Sequence, residues 1–264
     1  MKLAVVIVIT EKDNAFKQVL LSNVKNFDYV DLYFVYGSTY PKTKLVSIGN
    51  GNVNIFSKYN ETFENMINKT IDAFKALSIV QQKYDYIIRT NMSTLFDFEK
   101  LLEFSKQLSP SALFCGPFIG INKKPYISGT CILMTPDIMQ YIIKNENLIN
   151  KSLNEDIALS DFINTNVQSY FTINIKRLDF IQLKELGNVK RIVYHKTFIG
   201  DTDIFCFRFK TLDRNSDINL MQEIVNTKFN TDFTSIYKCE EVNEESPEYN
   251  EKYSRNIFLV PTNK

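Results

Sequence analysis

The chain has 264 residues, 44% of them hydrophobic, and a formal net charge of +1. That length supports one large core or two small ones. Charge this evenly mixed, with no basic stripe, argues against a polyanionic partner, nucleic acid included. The four cysteines, at 115, 131, 206 and 239, form no C-x-x-C pair, so no zinc or dithiol redox motif is present.

The opening "MKLAVVIVIT" has a lysine before an apolar run, as a signal peptide does. The run is short, and "EKDNAF" follows with no small-residue cleavage site, so a first buried strand over 3–10 is predicted instead. "AFKQVLLSNV" (15–24) reads as a helix, and "VDLYFVYG" (30–37) as a second strand ended by Gly37. Such continuous apolar runs suit a sheet covered on both faces. Residues 38–58 read as irregular, with "GNGN" at 49–52 marking a turn.

A long helix is predicted from about 61 to 80, with Phe63, Ile67, Ile71, Phe74 and Leu77 on one face. "YDYII" then reads as a strand that turns polar at Arg89-Thr90-Asn91. A helix near 97–108 follows, with Asp97 as its N-cap, and then a strand at "ALFCG". "CILM" (131–134) is another strand; Thr135 and Pro136 open the next helix as N-cap and first residue. Cys115 and Cys131, in these apolar runs, read as small core residues.

"NEDIALSDFINT" (154–165) is predicted as a helix with acids in its first turn. Strands at 170–176, 190–195 and 204–209 and a helix near 216–228 complete the pattern. No segment is long and apolar enough to span a membrane. Without leader or anchor, a cytoplasmic protein is expected.

The fold class is therefore α/β with a mostly parallel, mixed sheet flanked by helices. Ligands of such sheets bind beyond the carboxyl ends of the strands, where Thr10, Gly37 and the Arg89–Asn91 segment fall. There is no G-x-G-x-x-G, no P-loop and no G-x-S-x-G. Three pieces could carry chemistry: Arg89-Thr90-Asn91-Met92-Ser93, "KPYISGTCILMTPD" (124–137) and "NEDIALSDFI" (154–163).

In order and spacing these pieces resemble the GT-A glycosyltransferases, nearest to their β-1,3-galactosyltransferase/Fringe-like branch. There an apolar strand runs into a Lys/Arg-Thr-Asp-x-Asp segment; here "YDYIIRTNMSTLFDFEKLL" has the same outline. A "YPPYCSGTGYVLS"-like segment follows in the family, and "KPYISGTCILMTPDIMQYI" is similar to it. Glu155-Asp156-Ile157 matches the family's Glu-Asp-Val, and "RIVYHKT" offers His195, the single histidine, where GT-A folds carry a late metal-binding histidine. The resemblance spans about 1–210, read as the GT-A domain, with 211–264 as a C-terminal helix and tail. The departure is at the metal: Asn91 and Ser93 occupy the two Asp-x-Asp positions.

The resemblance implies transfer of a hexose or N-acetylhexosamine from a nucleotide sugar, a UDP-sugar by preference, to a hydroxyl of a glycan or glycoconjugate, with inversion. It makes Asp156 the catalytic base and Glu155 its helper. Read alone, both are ordinary first-turn acids. Donor contacts are expected from Thr10, Gly37, Arg89, Thr90, Asn91, Ser93, Tyr126, Ser128 and Gly129. Arg89 is either a solvated strand end or a direct phosphate contact. Asn91 and Ser93 either touch the ribose or cap a turn. Tyr126 is either core or a sugar platform, and Gly129 either a turn or a close approach. Mn²⁺ or Mg²⁺, with His195 as ligand, is one option; the metal-independent reading is preferred because Asn and Ser hold hard cations poorly. The alternative to an enzyme is a non-catalytic relative that binds a nucleotide sugar or glycan.

Overall fold

A computed structural model describes residues 1–80, 84–119, 126–184, 190–193, 204–210 and 213–229. The central sheet begins with β1 (Leu3–Val8), β2 (Val30–Gly37) and β5 (Tyr86–Asn91). Every residue of β1 is buried, because both of its faces are covered. Leu3, Val5 and Ile7 point into one apolar cluster, and Ala4, Val6 and Val8 into a second on the opposite face. The continuous apolar run of the sequence thus resolves into two alternating half-faces.

Between β2 and β5 the chain adds β3 (Lys44–Gly49) and β4 (Asn52–Ser57). The "GNGN" turn is present, with Gly49, Asn50 and Gly51 at positive φ. The expectation of irregular structure around it is corrected: the turn joins an antiparallel hairpin. β3 is a largely exposed edge strand, so it lacks the apolar run that marks a buried one. β4 runs parallel to β2, as β1 does to β2 and β5.

The helix expected from 61 is α2 (Met66–Ile79). Ile67, Ile71, Phe74 and Leu77 are buried as anticipated; Phe63 precedes the helix and is exposed. The residues before α2 instead fold over the end of β2, where the Gly37 N–H donates to Glu61 Oε2. After β5 come β6 (Thr94–Phe96) and α3 (Phe98–Ser105), whose N-cap Asp97 accepts from the Lys100 N–H at 3.1 Å.

β7 (Phe114–Cys115), β8 (Phe118–Ile119), β9 (Tyr126–Ile127) and β10 (Ile132–Met134) are short. β10 lies antiparallel to β5 and β7, which closes the seven-stranded order β3-β4-β2-β1-β5-β10-β7. α4 (Pro136–Lys144) starts after Thr135, whose hydroxyl accepts from the Leu113 N–H at 3.0 Å rather than from its own helix. α5 (Glu155–Asn166) follows.

A second sheet, ordered β12-β11-β13-β6, comprises β11 (Arg177–Lys184), β12 (Lys190–Val193), β13 (Cys206–Lys210) and β6. The predicted strand at 170–176 is corrected. That segment makes only isolated bridges, Leu113 to Phe171 and Gly116 to Asn174, and the regular strand begins at Arg177. α6 (Arg214–Asn226) buries Leu220, Met221 and Ile224 in the cluster shared with α1 (Asn14–Val24), α3 and the second sheet. α2, α4 and α5 cover the other face of the central sheet. Among the described residues no helix is long and apolar enough to cross a membrane.

Candidate active site

The parallel strands β1, β2, β4 and β5 end along one edge of the sheet. Ile132 of β10 pairs with Arg89, so the Ser128–Thr130 segment that leads into β10 meets β5 at that edge. The first turn of α5 comes to the same place, through hydrogen bonds rather than through strand pairing.

Arg89 and Glu155 form a buried ion pair, each side chain 5% exposed. The other terminal nitrogen of Arg89 donates to the Gly129 carbonyl, and Thr70 of α2 donates to the second oxygen of Glu155. The Arg89 fork is therefore engaged inside the protein, while its buried Nε has no hydrogen-bond partner among the described residues. Burial pushes the Glu155 carboxyl up from its ordinary value; the Arg89 charge and the Thr70 hydrogen bond oppose that rise.

Asp156, next in the chain, has a different setting. It is partly exposed. Its Oδ2 accepts from the Gly129 N–H at 3.1 Å and its Oδ1 from the Ile157 N–H at 3.0 Å. Adjacent carboxylates on one helical turn thus divide: one is sequestered against an arginine, the other is oriented by backbone donors and reaches solvent. Gly129 is there because backbone approaches closely. A Cβ built on it would lie 2.7 Å from Arg89 Nη1 and 3.5 Å from Asp156 Oδ2.

The other anticipated residues fall around this pair. Thr90 donates to the Thr130 carbonyl, which ties β5 to the glycine segment. Asn91 Oδ1 accepts from the Ser93 N–H, the Ser93 hydroxyl and the Thr94 hydroxyl, at 3.1, 3.1 and 2.9 Å. These bonds cap the turn that follows β5. Thr10 caps its own turn through Asp13, with the Thr10 N–H to Asp13 Oδ2 at 3.2 Å. Gly37 is pressed by the loop above it, since a Cβ there would lie 2.6 Å from the Glu61 nitrogen. Tyr126 is half-buried in β9, and the next residue donates its N–H to Ser160 of α5 at 3.0 Å. His195 lies outside the described residues.

One group escaped the sequence reading. Arg177 Nη1 donates to the Ser128 and Thr130 hydroxyls, at 2.8 and 2.7 Å, and its other nitrogens bind Asp179. Asp179 is in register with Arg208 of β13, and Arg208 with Thr94 of β6. The second sheet therefore brings a charged face against the Ser128–Thr130 segment and the Asn91 turn. The signal was present as period-2 alternation, in "RLDF" and in "CFRFK".

Neither Asn91 nor Ser93 offers a carboxylate to a hard divalent cation. Asn91 spends its oxygen on its own loop, and Ser93 donates to it. Among the described residues no three His, Cys, Asp or Glu side chains gather as a metal cluster would. A groove of about 680 Å³ lies elsewhere, lined by Met1, Tyr86, Pro110 and Pro136. It sits at the amino ends of β1 and β5 and contains none of the candidate residues.

No protein-family model matches the sequence, and no curated protein does. Solved structures do match. One is a glycosyltransferase involved in the glycosylation of the major capsid of PBCV-1. It is 8% identical, with a TM-score of 0.52, over 84% of this chain and all of that one. Another is the apo form of the glycosyltransferase GlyE of Streptococcus pneumoniae TIGR4, 12% identical with a TM-score of 0.41, where the match spans 66% of this chain and 45% of that chain. The first likeness defines the class of fold: a large, mostly parallel α/β sheet flanked by helices, as found in a glycosyltransferase.

Proposed function

We propose that the chain is a GT-A glycosyltransferase of the Fringe-like kind. It moves a hexose or N-acetylhexosamine from a nucleotide sugar, UDP-linked by preference, to a hydroxyl of a glycan or glycoconjugate. The observation that carries the reading is the division of labour between Glu155 and Asp156. Glu155 is buried against Arg89 and Thr70, which fixes the first turn of α5. Asp156 is held by the Gly129 and Ile157 N–H groups at the carboxyl edge of the sheet, with solvent access.

In the proposed step the acceptor oxygen bonds to the anomeric carbon as its proton passes to the Asp156 carboxylate. The bond from the anomeric carbon to the diphosphate breaks on the opposite side, and the nucleoside diphosphate leaves with the electron pair. A single displacement of this kind inverts the sugar. Arg89 serves as a positioning residue, through Glu155 and the Gly129 carbonyl, rather than as the phosphate contact. Thr90 and Ser128 hold the glycine segment. Support comes from positioning of the base and from electrostatic help to the leaving group.

Asp156→Asn tests this. Removing a general base costs about 10²–10⁴-fold in turnover, and the isosteric amide leaves donor affinity within a few-fold. Donor turnover is followed over a panel of nucleotide sugars with mixed glycan acceptors, and affinity by calorimetry. Unchanged turnover in Asp156→Asn refutes the assignment. Donor binding by the wild type without turnover of any donor establishes the non-catalytic alternative, which the carboxylate-free Asn91–Ser93 turn favours.

A further inference from the structure

On β13 the side chains alternate. Phe207 and Phe209 face the apolar side, where Phe209 stacks on Phe180 of β11 at 4.8 Å between ring centroids. Arg208 and Lys210 therefore share the opposite face, beside Arg177 and Asp179 of β11. Asp179 is already taken by two nitrogens of Arg177. Arg208 is only partly exposed, yet among the described residues it has no hydrogen-bonded acceptor. Lys210 is exposed and likewise unpaired among them.

Partly withdrawing a guanidinium from water without a protein acceptor is costly, and placing cations beside it adds to the cost. Both effects register at these groups. Arg208 is lowered from its ordinary value by burial first and by Arg177 as well, with Asp179 and Asp156 in partial opposition. Lys210 is lowered chiefly by Arg208. A bound anion would offset both the burial and the repulsion.

The place of the cluster says which anion. Arg208 pairs across the sheet with Thr94, one residue beyond the Asn91-x-Ser93 positions, and the Phe209 N–H donates to the Ser93 carbonyl at 2.8 Å. It is also close enough to Asp156 to feel its charge. The cations thus lie on the sheet face that Arg208 shares with Thr94, beside the turn that lacks carboxylates.

We propose that Arg208 and Lys210, with Arg177 anchoring Ser128 and Thr130 beside them, form the subsite for the diphosphate of the donor. Resting on the transferase reading for its ligand, this subsite gives the departing diphosphate fixed positive charge where the neutral Asn91 turn gives it none. As the sugar–oxygen bond breaks, the oxygen that keeps the electron pair is met by guanidinium and ammonium donors.

The test uses calorimetry with inorganic pyrophosphate, UDP and GDP, each in EDTA and in Mn²⁺. Wild-type protein is expected to bind pyrophosphate and one nucleoside diphosphate in EDTA. Arg208→Gln is expected to weaken pyrophosphate binding by about tenfold or more and Lys210→Gln by about three- to tenfold, with Arg208→Lys in between. Lys210 is exposed, so its variant keeps the test alive if Arg208→Gln does not fold. Pyrophosphate affinity that requires Mn²⁺, or that ignores both substitutions, overturns the subsite. Donor turnover that continues in that case leaves the transferase reading standing. Metal-free diphosphate binding that both substitutions weaken, with no donor turned over, keeps the subsite and refutes the transferase.

Discussion

Replacing Arg89 by methionine removes the charge and keeps much of the volume. Glu155 is then left with Thr70 as its hydrogen-bonded partner, in a site where its side chain is 5% exposed. Breaking a buried ion pair by deleting one partner costs about 3–5 kcal/mol, because the other charge stays desolvated. For a chain of this size that corresponds to a melting temperature lower by roughly 6–20 °C. The loss carries a pH signature. The Glu155 carboxyl is raised in the folded protein, so it favours proton uptake on folding. A group raised in this way contributes stability that is full below its unfolded value and is lost as pH rises through its folded value. Arg89 opposes the rise, so its removal enlarges it. The deficit of Arg89→Met relative to wild type is therefore smallest near pH 4–5, about the ordinary glutamate range, and grows toward pH 8. Urea unfolding at both pH values measures it. The double variant Arg89→Met, Glu155→Leu should recover much of the loss, since an apolar pair replaces an orphaned charge. A deficit below about 1 kcal/mol, or one equal at both pH values and not rescued by the double variant, refutes the reasoning.

Gly129→Ala places a Cβ 2.7 Å from Arg89 Nη1, so the guanidinium must move. The expected cost is about 1–3 kcal/mol by urea unfolding, together with reduced donor turnover as the Asp156 contact is disturbed. Burial pushes the Cys115 thiol up to about 12. At pH 8 it should resist alkylation in the native protein and react only in denaturant, which peptide mapping would read; native labelling of Cys115 would contradict its burial.

Local pattern was enough for much of this molecule. The runs at 3–10 and 30–37 announced strands covered on both faces, because only a sandwiched strand has no polar side. Asp97 and Thr135-Pro136 marked helix starts through local signals that act over three or four residues. The three segments later found at one sheet edge were also visible as the interruptions of apolar pattern. Pattern failed where a strand is wet, as in β3, and where residues 61–65 precede α2 instead of joining it.

The partnerships needed the tertiary structure. Arg89 is 66 residues from Glu155, and nothing local distinguishes Glu155 from Asp156 as the buried one. That choice is made by which side of the first turn of α5 meets β5 and Thr70. Arg177, Asp179, Arg208 and Thr94 come together through the register of three strands distant in sequence. The sequence by itself determined the fold class and most of the central elements, since periodicity and caps are short-range properties. Which polar groups neutralise one another, and which stay open to a ligand, was decided by long-range strand pairing and helix docking, because those set the distances over which charges act.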